Sequence, residues 1–344
     1  MKKIILIILT ICLISITTAC GNPLQPSSNG ANPTHPTSNG ENNSEEIIHD
    51  TSTPINVTVL NGPTGMGIAY LNKQSDTGNT KYKYNITYAS APDEITGQLI
   101  GGNIDIAAVP VNLASVLYNK TNGEILTCAI NTLGVLYIVE KGDTVKQLSD
   151  LEGKTIIASG KGSTPEYILN HILDYNGLLG KVNVEYVTEH DEAVSALATG
   201  KASLIMIPEP KVTAAKAKIE GAHIVLDLTS QWNMLHHADL IQGVIVVRKS
   251  FAKDHPDIVD TFLEEYKTSV DFTNENQKDA ATLIAEYGII PNEQMAFDAI
   301  PNCHIVYIDG DKMHQTMDDM LKILFNANPQ SIGGKLPDKN IYYK

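Results

Sequence analysis

Two glycine-rich segments carry the residue types best suited to holding a small molecule. LNGPTGMG, at residues 60–67, follows the apolar run INVTV, and SGKGST, at residues 159–164, follows KTIIA. Glycine lets a ligand approach the backbone, and a helix that begins after such a turn presents unpaired N–H groups at the positive end of its dipole. Each segment therefore predicts a strand end, a tight turn and a helix start that can bind a ligand through backbone amides.

The second segment has two candidate helix starts. Ser163 and Glu166 have the spacing of a capping box, and Thr164 followed by Pro165 suits a cap before the first helical turn. Either choice starts a helix at this point.

The order of the glycines excludes the common nucleotide-binding loops. LNGPTGMG reads G-x-x-G-x-G rather than G-x-G-x-x-G, and no basic residue follows to hold a phosphate. In GKTIIASGKGST, no glycine opens a Walker-type loop before either lysine. Tight turns without a ligand remain the alternative to a binding loop.

Two side chains are candidates for selecting a ligand. Glu209 stands between two prolines after the strand-like run SLIMI, where its carboxylate could accept hydrogen bonds from an amine or a ring N–H. A carboxylate facing the ligand would repel a simple oxyanion such as nitrate. Trp232, the single tryptophan, could stack on a planar ligand. A solvated glutamate and a tryptophan packed in the core are the alternatives.

The histidines and cysteines indicate no metal or catalytic site. His236 and His237 are adjacent, so their side chains point in different directions, although Asp239 makes a metal site conceivable. No serine lies in G-x-S-x-G, and no Cys–His signature occurs. Cys128 and Cys303 are expected to be buried thiols rather than a disulfide. We therefore expect no metal, no cofactor and no enzymatic chemistry.

The N-terminus has the features of a secretory signal. Lys2 and Lys3 precede an apolar run that is too short to span a bilayer permanently, which predicts a signal peptide over residues 1–19. The small residues before Cys20 resemble the lipobox of bacterial lipoproteins, in which this cysteine is lipidated. Thr17 stands where that motif usually has leucine, and an ordinary signal peptide with an incidental cysteine is the alternative.

Residues 21–53 are rich in Asn, Ser, Pro, Gly and Thr. This composition predicts a disordered tether, which spans residues 20–53 when the anchoring Cys20 is included. Loss of residues 1–19 removes two lysines and no acid, so the net charge changes from -14 to -16. So acidic a chain is a poor nucleic-acid binder and offers no polybasic patch to a membrane.

The remaining chain alternates β-branched runs with amphipathic segments and contains an internal duplication. At an offset of 98 residues without gaps, 12 of the 61 positions from Pro54 to Ala114 are identical, where composition predicts about four. The strand-like runs coincide at this offset as well, for example DIAAV with SLIMI. The pattern predicts two related α/β lobes, each with a mostly parallel sheet whose strand ends can bind ligand.

Several segments resemble extracellular solute-binding lipoproteins of ABC importers. They are LNGPTGMGIAYL, IDIAAVPVNLASVLYNKTNGE, NTLGVLYIVE, SDLEGKTIIASGKGSTPEYIL and IMIPEP. The group is the type 2 periplasmic-binding-protein fold family for sulfonates, taurine, nitrate and the thiamine pyrimidine precursor. The resemblance covers about residues 54–343, and GKGSTPEYIL with PEP is its most specific part.

This resemblance implies an α/β fold of two lobes, each a mixed, mostly parallel sheet flanked by helices, with a ligand cleft between them. Lobe 1 would comprise residues 54–138 and 244–344, and lobe 2 residues 139–243. The chain would cross between the lobes near residues 131–140 and 240–250.

The resemblance also implies ligand-facing positions in both lobes and at the crossover. Together with Trp232, the expected ligand-binding residues are Asn61, Pro63, Thr64, Gly65, Met66, Ser90, Ala91, Pro110, Val111, Asn112, Asn131, Thr132, Leu133, Gly162, Ser163, Thr164, Pro165 and Glu209.

The function implied is capture without chemistry. A monomeric protein, lipid-anchored at the extracytoplasmic face of the cell membrane, would close on a small-molecule ligand and deliver it to an ABC permease and its ATPase. The alternatives are an enzyme that converts a small acid on the same scaffold, and a lipoprotein that presents its ligand to a sensor. Sulfonates, pyrimidines, aromatic acids and amino-acid-like ligands all fit, with a planar, nitrogen-containing molecule favoured by Glu209 and Trp232 alone.

Overall fold

The computed structural model describes residues 50–236 and 239–344. The predicted signal peptide, Cys20 and the tether up to residue 49 lie outside the described residues. No helix within the described ranges has the length and hydrophobicity needed to cross a bilayer.

The described residues form eleven strands. They are β1 (Asp50–Leu60), β2 (Tyr82–Ala89), β3 (Ile106–Pro110), β4 (Ile125–Leu133), β5 (Leu136–Lys141), β6 (Thr155–Ser159), β7 (Asn183–Val187), β8 (Leu204–Pro208), β9 (Ala222–Asp227), β10 (Ile241–Arg248) and β11 (Ile305–Ile308).

The same residues form thirteen α-helices. They are α1 (Pro63–Met66), α2 (Ala69–Asp76), α3 (Pro92–Ile100), α4 (Val111–Lys120), α5 (Thr164–Tyr175), α6 (His190–Ala198), α7 (Lys211–Lys218), α8 (Leu228–His236), α9 (Lys249–Asp254), α10 (Pro256–Glu275), α11 (Gln277–Glu286), α12 (Glu293–Ala299) and α13 (Gly310–Ala327). Short 3-10 turns lie at Leu148–Leu151, Ile300–Asn302, Pro329–Ile332 and Lys339–Ile341.

The strands form two mixed sheets, which confirms the predicted two-lobed α/β fold. The six-stranded sheet has the order β11-β4-β10-β3-β1-β2, and the five-stranded sheet has the order β7-β6-β8-β5-β9. We call the six-stranded sheet with its helices the first lobe and the five-stranded sheet with its helices the second lobe. In each sheet three strands are parallel, β2, β1 and β3 in the first and β7, β6 and β8 in the second.

The two sheets have the same internal order, as the duplication predicts. Without its edge strand β11, the first sheet reads β4-β10-β3-β1-β2, and the second reads β9-β5-β8-β6-β7 in the same positions. The bounds of β3 and β8, and those of α3 and α6, differ by the offset of 98 residues found in the sequence. The repeated sequence therefore folds into repeated structure.

The chain exchanges one antiparallel strand between the lobes. After β4 it passes directly into β5, which pairs antiparallel with β8 of the second sheet. After α8 it returns as β10, which inserts antiparallel between β3 and β4 of the first sheet. The first crossing lies within the predicted range 131–140, whereas the second uses Asp239 and Leu240 and so begins just before the predicted range 240–250.

The central strands are buried because helices cover both faces of each sheet. All nine residues of β4 except Leu133 are buried, and β10 is buried from Gly243 to Val247. Burial of successive residues, rather than of every second one, is typical of strands that are covered on both faces. The strand β1 begins at Asp50, which pairs with Tyr82 of β2, so the last four residues of the predicted tether belong to the strand.

Candidate functional site

At the carboxyl ends of β2, β3, β6 and β7, the helices α3, α4, α5 and α6 begin without a capping side chain. The residues before α3 and α4, Ala91 and Pro110, offer no side-chain oxygen to the first helical turn, and neither Ser163 before α5 nor Glu189 before α6 forms a side-chain cap. Away from these strand ends, Asn292 caps α12 by accepting a hydrogen bond from the amide of Met295 at 2.9 Å, whereas α2, α9, α10, α11 and α13 also begin without a side-chain cap. Uncapped helix starts leave backbone N–H groups available to a ligand.

Three chain segments lie side by side where the two lobes join. The amide of Leu133 donates to the carbonyl of His304 at 3.0 Å, and the amide of Gly134 donates to the carbonyl of Leu240 at 2.7 Å. Nδ1 of His304 donates in turn to the carbonyl of Gly134, at 2.5 Å. The crossing strands and the segment before β11 therefore form one hydrogen-bonded connection.

This connection is tightly packed at Gly134. A β-carbon at this position would lie 2.3 Å from Oγ1 of Thr229 and 2.6 Å from Cδ2 of Leu240. Contacts this short are not tolerated, so a side chain here would push the crossing segments apart.

Glu209 lies at the join between the lobes rather than at an open rim. Its side chain is 2% exposed. Oε2 accepts from the amide of Thr213 at 3.1 Å, and Oε1 accepts from the hydroxyl of Thr213 at 3.1 Å and from Nδ2 of Asn302 at 3.2 Å. The hydroxyl of Tyr137 donates to the carbonyl of the same Asn302 at 2.8 Å. Glu209 thus caps α7 and links the second lobe to the segment before β11.

Burial dominates the electrostatics of this carboxyl. Desolvation raises the pKa of Glu209, because the ionised form loses its hydration, and the hydrogen bonds from Thr213 and Asn302 offset only part of that effect. The solvated-glutamate alternative is therefore wrong. Contact between Glu209 and a ligand stays a prediction, and such a contact would compete with the Asn302 bond.

A second bridge between the lobes lies at the start of α5. The hydroxyl of Tyr167 donates to the carbonyl of Gly162 at 3.0 Å and accepts from Nδ2 of Asn328 at 2.8 Å. Asn328 begins the turn Pro329–Ile332, whose Ser331 carbonyl accepts from Nδ2 of Asn112 at 3.3 Å. A chain of hydrogen bonds therefore connects the glycine-rich loop of the second lobe to the start of α4 in the first.

The predicted ligand-binding residues divide into an accessible and a buried group. The side chains or backbones of the first group are exposed or half-buried: Asn61, Pro63, Ser90, Ala91, Pro110, Asn112, Leu133, Gly162, Ser163, Thr164 and Pro165. The second group is buried: Thr64, Gly65, Met66, Val111, Asn131, Thr132, Glu209 and Trp232. In this conformation the residues of the second group are enclosed by other parts of the protein.

The side chain of Asn131 is one that binds other residues of the protein. Its Nδ2 donates to the carbonyl of Thr64 at 2.9 Å and to the hydroxyl of Tyr266 at 3.1 Å. Met66, with no exposed surface, belongs to the core of the first lobe. Asn131 therefore fixes the loop LNGPTGMG from inside, and Asn61 and Pro63 are the predicted ligand-binding residues of this loop that stay accessible.

The capping box predicted at Ser163 and Glu166 does not form. Ser163 is the residue before the helix, but its hydroxyl donates to the carbonyl of Gly160 at 2.6 Å. The carboxylate of Glu166 reaches the amide of Gly162 instead of that of Ser163. Gly162 has a φ of 73°, which turns its amide toward the helix. The helix starts at Thr164, with Ser163 as the residue before it, so Thr164 is the first helical residue and not the cap that the Thr-Pro sequence predicts.

Trp232 packs in the second lobe and leaves almost no surface for stacking. It is 2% exposed and its ring lies 4.5 Å from that of His236 and 5.4 Å from that of His171 between centroids. A stacking contact with a ligand stays a prediction that this conformation does not support. His237 lies outside the described residues. Cys128 and Cys303 are free and buried, so the prediction of buried thiols is confirmed.

A polar pair that the sequence does not predict lies at the carboxyl edge of the second sheet. Oγ of Ser159, the last residue of β6, lies 2.5 Å from Nδ1 of His190, the first residue of α6. Burial lowers the pKa of His190, with a further contribution from the charge of Lys211. The two residues are 31 positions apart, and no spacing rule connects them. The parallel pairing of β6 and β7 brings their ends together.

Among solved structures, the chain is similar to an ABC transporter protein from Parabacteroides distasonis, with 23% identity, a TM-score of 0.71, and coverage of 84% of this chain and 98% of that one. It is also similar to the periplasmic aliphatic sulphonate binding protein of Escherichia coli, with 16% identity, a TM-score of 0.65, and coverage of 83% and 92%. A conserved Candida albicans protein, described as having the generic periplasmic binding protein fold, matches with 12% identity, a TM-score of 0.54, and coverage of 84% and 93%. These likenesses confirm the fold expected from the sequence.

No curated protein matches the chain in sequence. A sequence model of the family described as "Menaquinone biosynthesis" matches residues 68–299, from the helix that follows the first glycine-rich loop to the end of α12. This match spans more than half of the chain and both lobes. The chain therefore belongs to the menaquinone biosynthesis family and has the periplasmic-binding-protein fold.

Proposed function

We propose that the protein is the substrate-binding component of an ABC import system. It captures a small organic solute in the cleft between the two lobes and delivers it to a membrane permease with its ATPase. In this proposal residues 1–19 direct export and the lipidated Cys20 anchors the protein at the extracytoplasmic face of the membrane.

The observation that supports capture most strongly is the pairing of two matched sheets through a narrow connection. Uncapped helix starts follow strand ends in both lobes, at α3 and α4 in the first and at α5 and α6 in the second. Backbone amides at such positions bind carboxylate, sulfonate or carbonyl oxygens without needing a charged side chain. The accessible residues Asn61, Asn112 and Ser163 add side-chain hydrogen bonds at the same edges.

Closure about the connection between the lobes would complete the site. The hydrogen bonds that cross this connection involve Gly134, His304 and Asn302. Domain closure at such a hinge requires only a few residues to change their backbone angles. A ligand that contacts both lobes stabilises the closed form by its differential affinity for that form.

Ligand binding tests this proposal directly. Mature protein should be unfolded and refolded to remove bound small molecules and then mixed with a library of sulfonates, pyrimidines, aromatic acids and amino acids. We expect a class of compounds to raise the melting temperature and to reduce the radius of gyration in X-ray scattering. The library should include the molecules released from freshly purified protein. If it then changes neither the melting temperature nor the radius of gyration, capture is contradicted.

The family match favours a second candidate function, an enzyme on the same scaffold. Its description as a menaquinone biosynthesis family is the specific reason, and Ser159 with His190, whose pKa burial lowers, supplies a polar pair that could act as a base. Incubation with a metabolite extract, followed by mass spectrometry, separates the two functions. Conversion that disappears in His190→Gln would favour the enzyme, whereas retention of unchanged molecules favours capture.

A further inference from the structure

Two histidines on different helices of the second lobe meet at their Nε2 atoms. His171 lies in α5 and His236 ends α8, and their Nε2 atoms are 2.8 Å apart. The rings are stacked with centroids 4.9 Å apart and an interplanar angle of 27°. Nε2 is a common metal-coordinating atom of histidine, so the two helices present two such atoms to one point.

The two Nε2 atoms lie at the distance of a hydrogen bond between the rings, and this separation is also close to the distance that a shared metal ion requires. Zinc–nitrogen bonds are about 2.0–2.1 Å long, and a tetrahedral angle between two of them separates the nitrogens by about 3.3 Å. The observed 2.8 Å differs from this value by about half an ångström, which small side-chain rotations can supply.

The surroundings of the pair suit a cation. His171 lines a cavity of about 480 Å³ between α5 and α13, together with the carboxylates of Glu166 and Asp174. Asp319 of α13 acts electrostatically on His236. Trp232 contacts both imidazole rings and so restricts their orientation. Such supporting contacts are typical of residues that hold metal ligands in place.

We propose that His171 and His236 bind one divalent transition-metal ion through their Nε2 atoms and that this ion links α5 to α8. Imidazole nitrogens suit Zn²⁺, Ni²⁺ and Cu²⁺, whereas Mg²⁺ and Ca²⁺ prefer oxygen. Within residues 50–236 and 239–344 no group of three His, Cys, Asp or Glu residues is arranged to hold a metal. Water therefore completes the coordination. This site does not depend on the proposed import function.

Calorimetric titration of the mature, untagged chain with ZnCl₂ tests the proposal. We expect one site per chain with a micromolar dissociation constant, and at least a tenfold loss of affinity in His171→Gln and in His236→Gln. The matched control His255→Gln changes an exposed histidine at the start of α10 and should leave the affinity unchanged. Zn²⁺ should also raise the melting temperature of the wild type and of the control, but not of the two variants.

Three results would overturn the proposal. They are an absence of Zn²⁺ binding, Zn²⁺ binding that both substitutions leave unchanged, and Mg²⁺ binding of equal strength. The last result would indicate attraction to the acidic surface alone. As a second readout, the Cu²⁺ complex should show splitting from two imidazole nitrogens in electron paramagnetic resonance, and a spectrum with oxygen ligands only would also contradict the site.

Discussion

Asn302 donates a hydrogen bond from Nδ2 to Oε1 of Glu209, over 3.2 Å. Asn302 precedes β11 of the first sheet, and Glu209 follows β8 of the second. Because Tyr137 also donates to the Asn302 carbonyl, two elements of the second lobe hold this one residue. The carboxylate that the sequence presents as a ligand contact thus helps to join the lobes.

Loss of this bond should destabilise the protein measurably. Asn302→Ala removes the Nδ2 donor and leaves a buried carboxylate with bonds from Thr213 only, so we expect the free energy of unfolding to fall by about 1–3 kcal/mol. Asn326→Ala, at an exposed position of α13, is the control and should change it by less than about 0.5 kcal/mol. Equal effects of the two substitutions in denaturant titrations would show that the Glu209 bond contributes nothing.

The raised pKa of Glu209 predicts the sign of a pH effect. A carboxyl whose pKa is higher in the folded than in the unfolded state favours folding when protonated, so its contribution is most favourable below the unfolded value of about 4.5. That contribution is lost as the pH rises through the folded-state pKa. The substitution Glu209→Gln keeps the shape of the side chain and removes the titration, so this variant serves as the reference.

Denaturant titrations between about pH 4 and pH 8 would measure this effect. We expect the stability of the wild type relative to Glu209→Gln to decrease as the pH rises. A constant difference, or one that grows in favour of the wild type, would contradict a buried carboxyl with a raised pKa.

The packing at Gly134 predicts that the connection tolerates no side chain. Gly134→Ala would place a methyl group within 2.3 Å of Oγ1 of Thr229, so we expect a loss of about 2 kcal/mol or more in the free energy of unfolding. Gly97→Ala is the matched control because Gly97 lies inside α3 with open space around it. There the alanine should stabilise the protein by up to about 1 kcal/mol. Stabilisation by both substitutions would refute the tight packing.

The start of α5 allows a test of ligand binding through the backbone. Thr164→Pro removes one N–H group at the first helical position, where proline fits a helix. We expect little change in the melting temperature of the free protein. The ligand should raise the melting temperature of the variant less than that of the wild type, by an amount that corresponds to about a tenfold loss of affinity.

Glu293→Pro, at the first position of α12, is the control and should leave ligand binding intact. If Thr164→Pro binds the ligand with unchanged affinity, the amide of residue 164 does not contact the ligand.

The sequence predicts most of the architecture because the architecture depends on local patterns and on duplication. The offset of 98 residues anticipates both sheets, and the strand-like runs coincide with β3 and β8. Side-chain contacts across the fold are not predictable in the same way. Glu209 meets Asn302 over 93 positions, and His171 meets His236 over 65.

Burial explains the other differences between expectation and structure. Met66 and Asn131 occupy positions that the family resemblance marks as ligand-facing, yet both side chains are enclosed by the first lobe. The sequence shows their types but not the depth at which the chain buries them. The exposed residues Asn61, Ser90 and Ser163 need no such information, because polar residues at strand ends are already expected at an open edge.

X-ray scattering of the ligand-free protein, before and after addition of the small molecules released from freshly purified material, tests capture between the lobes most directly. We predict a smaller radius of gyration after addition, together with a higher melting temperature and recovery of the same molecules unchanged. An unchanged radius with bound molecules present, or chemical conversion of those molecules, would contradict it.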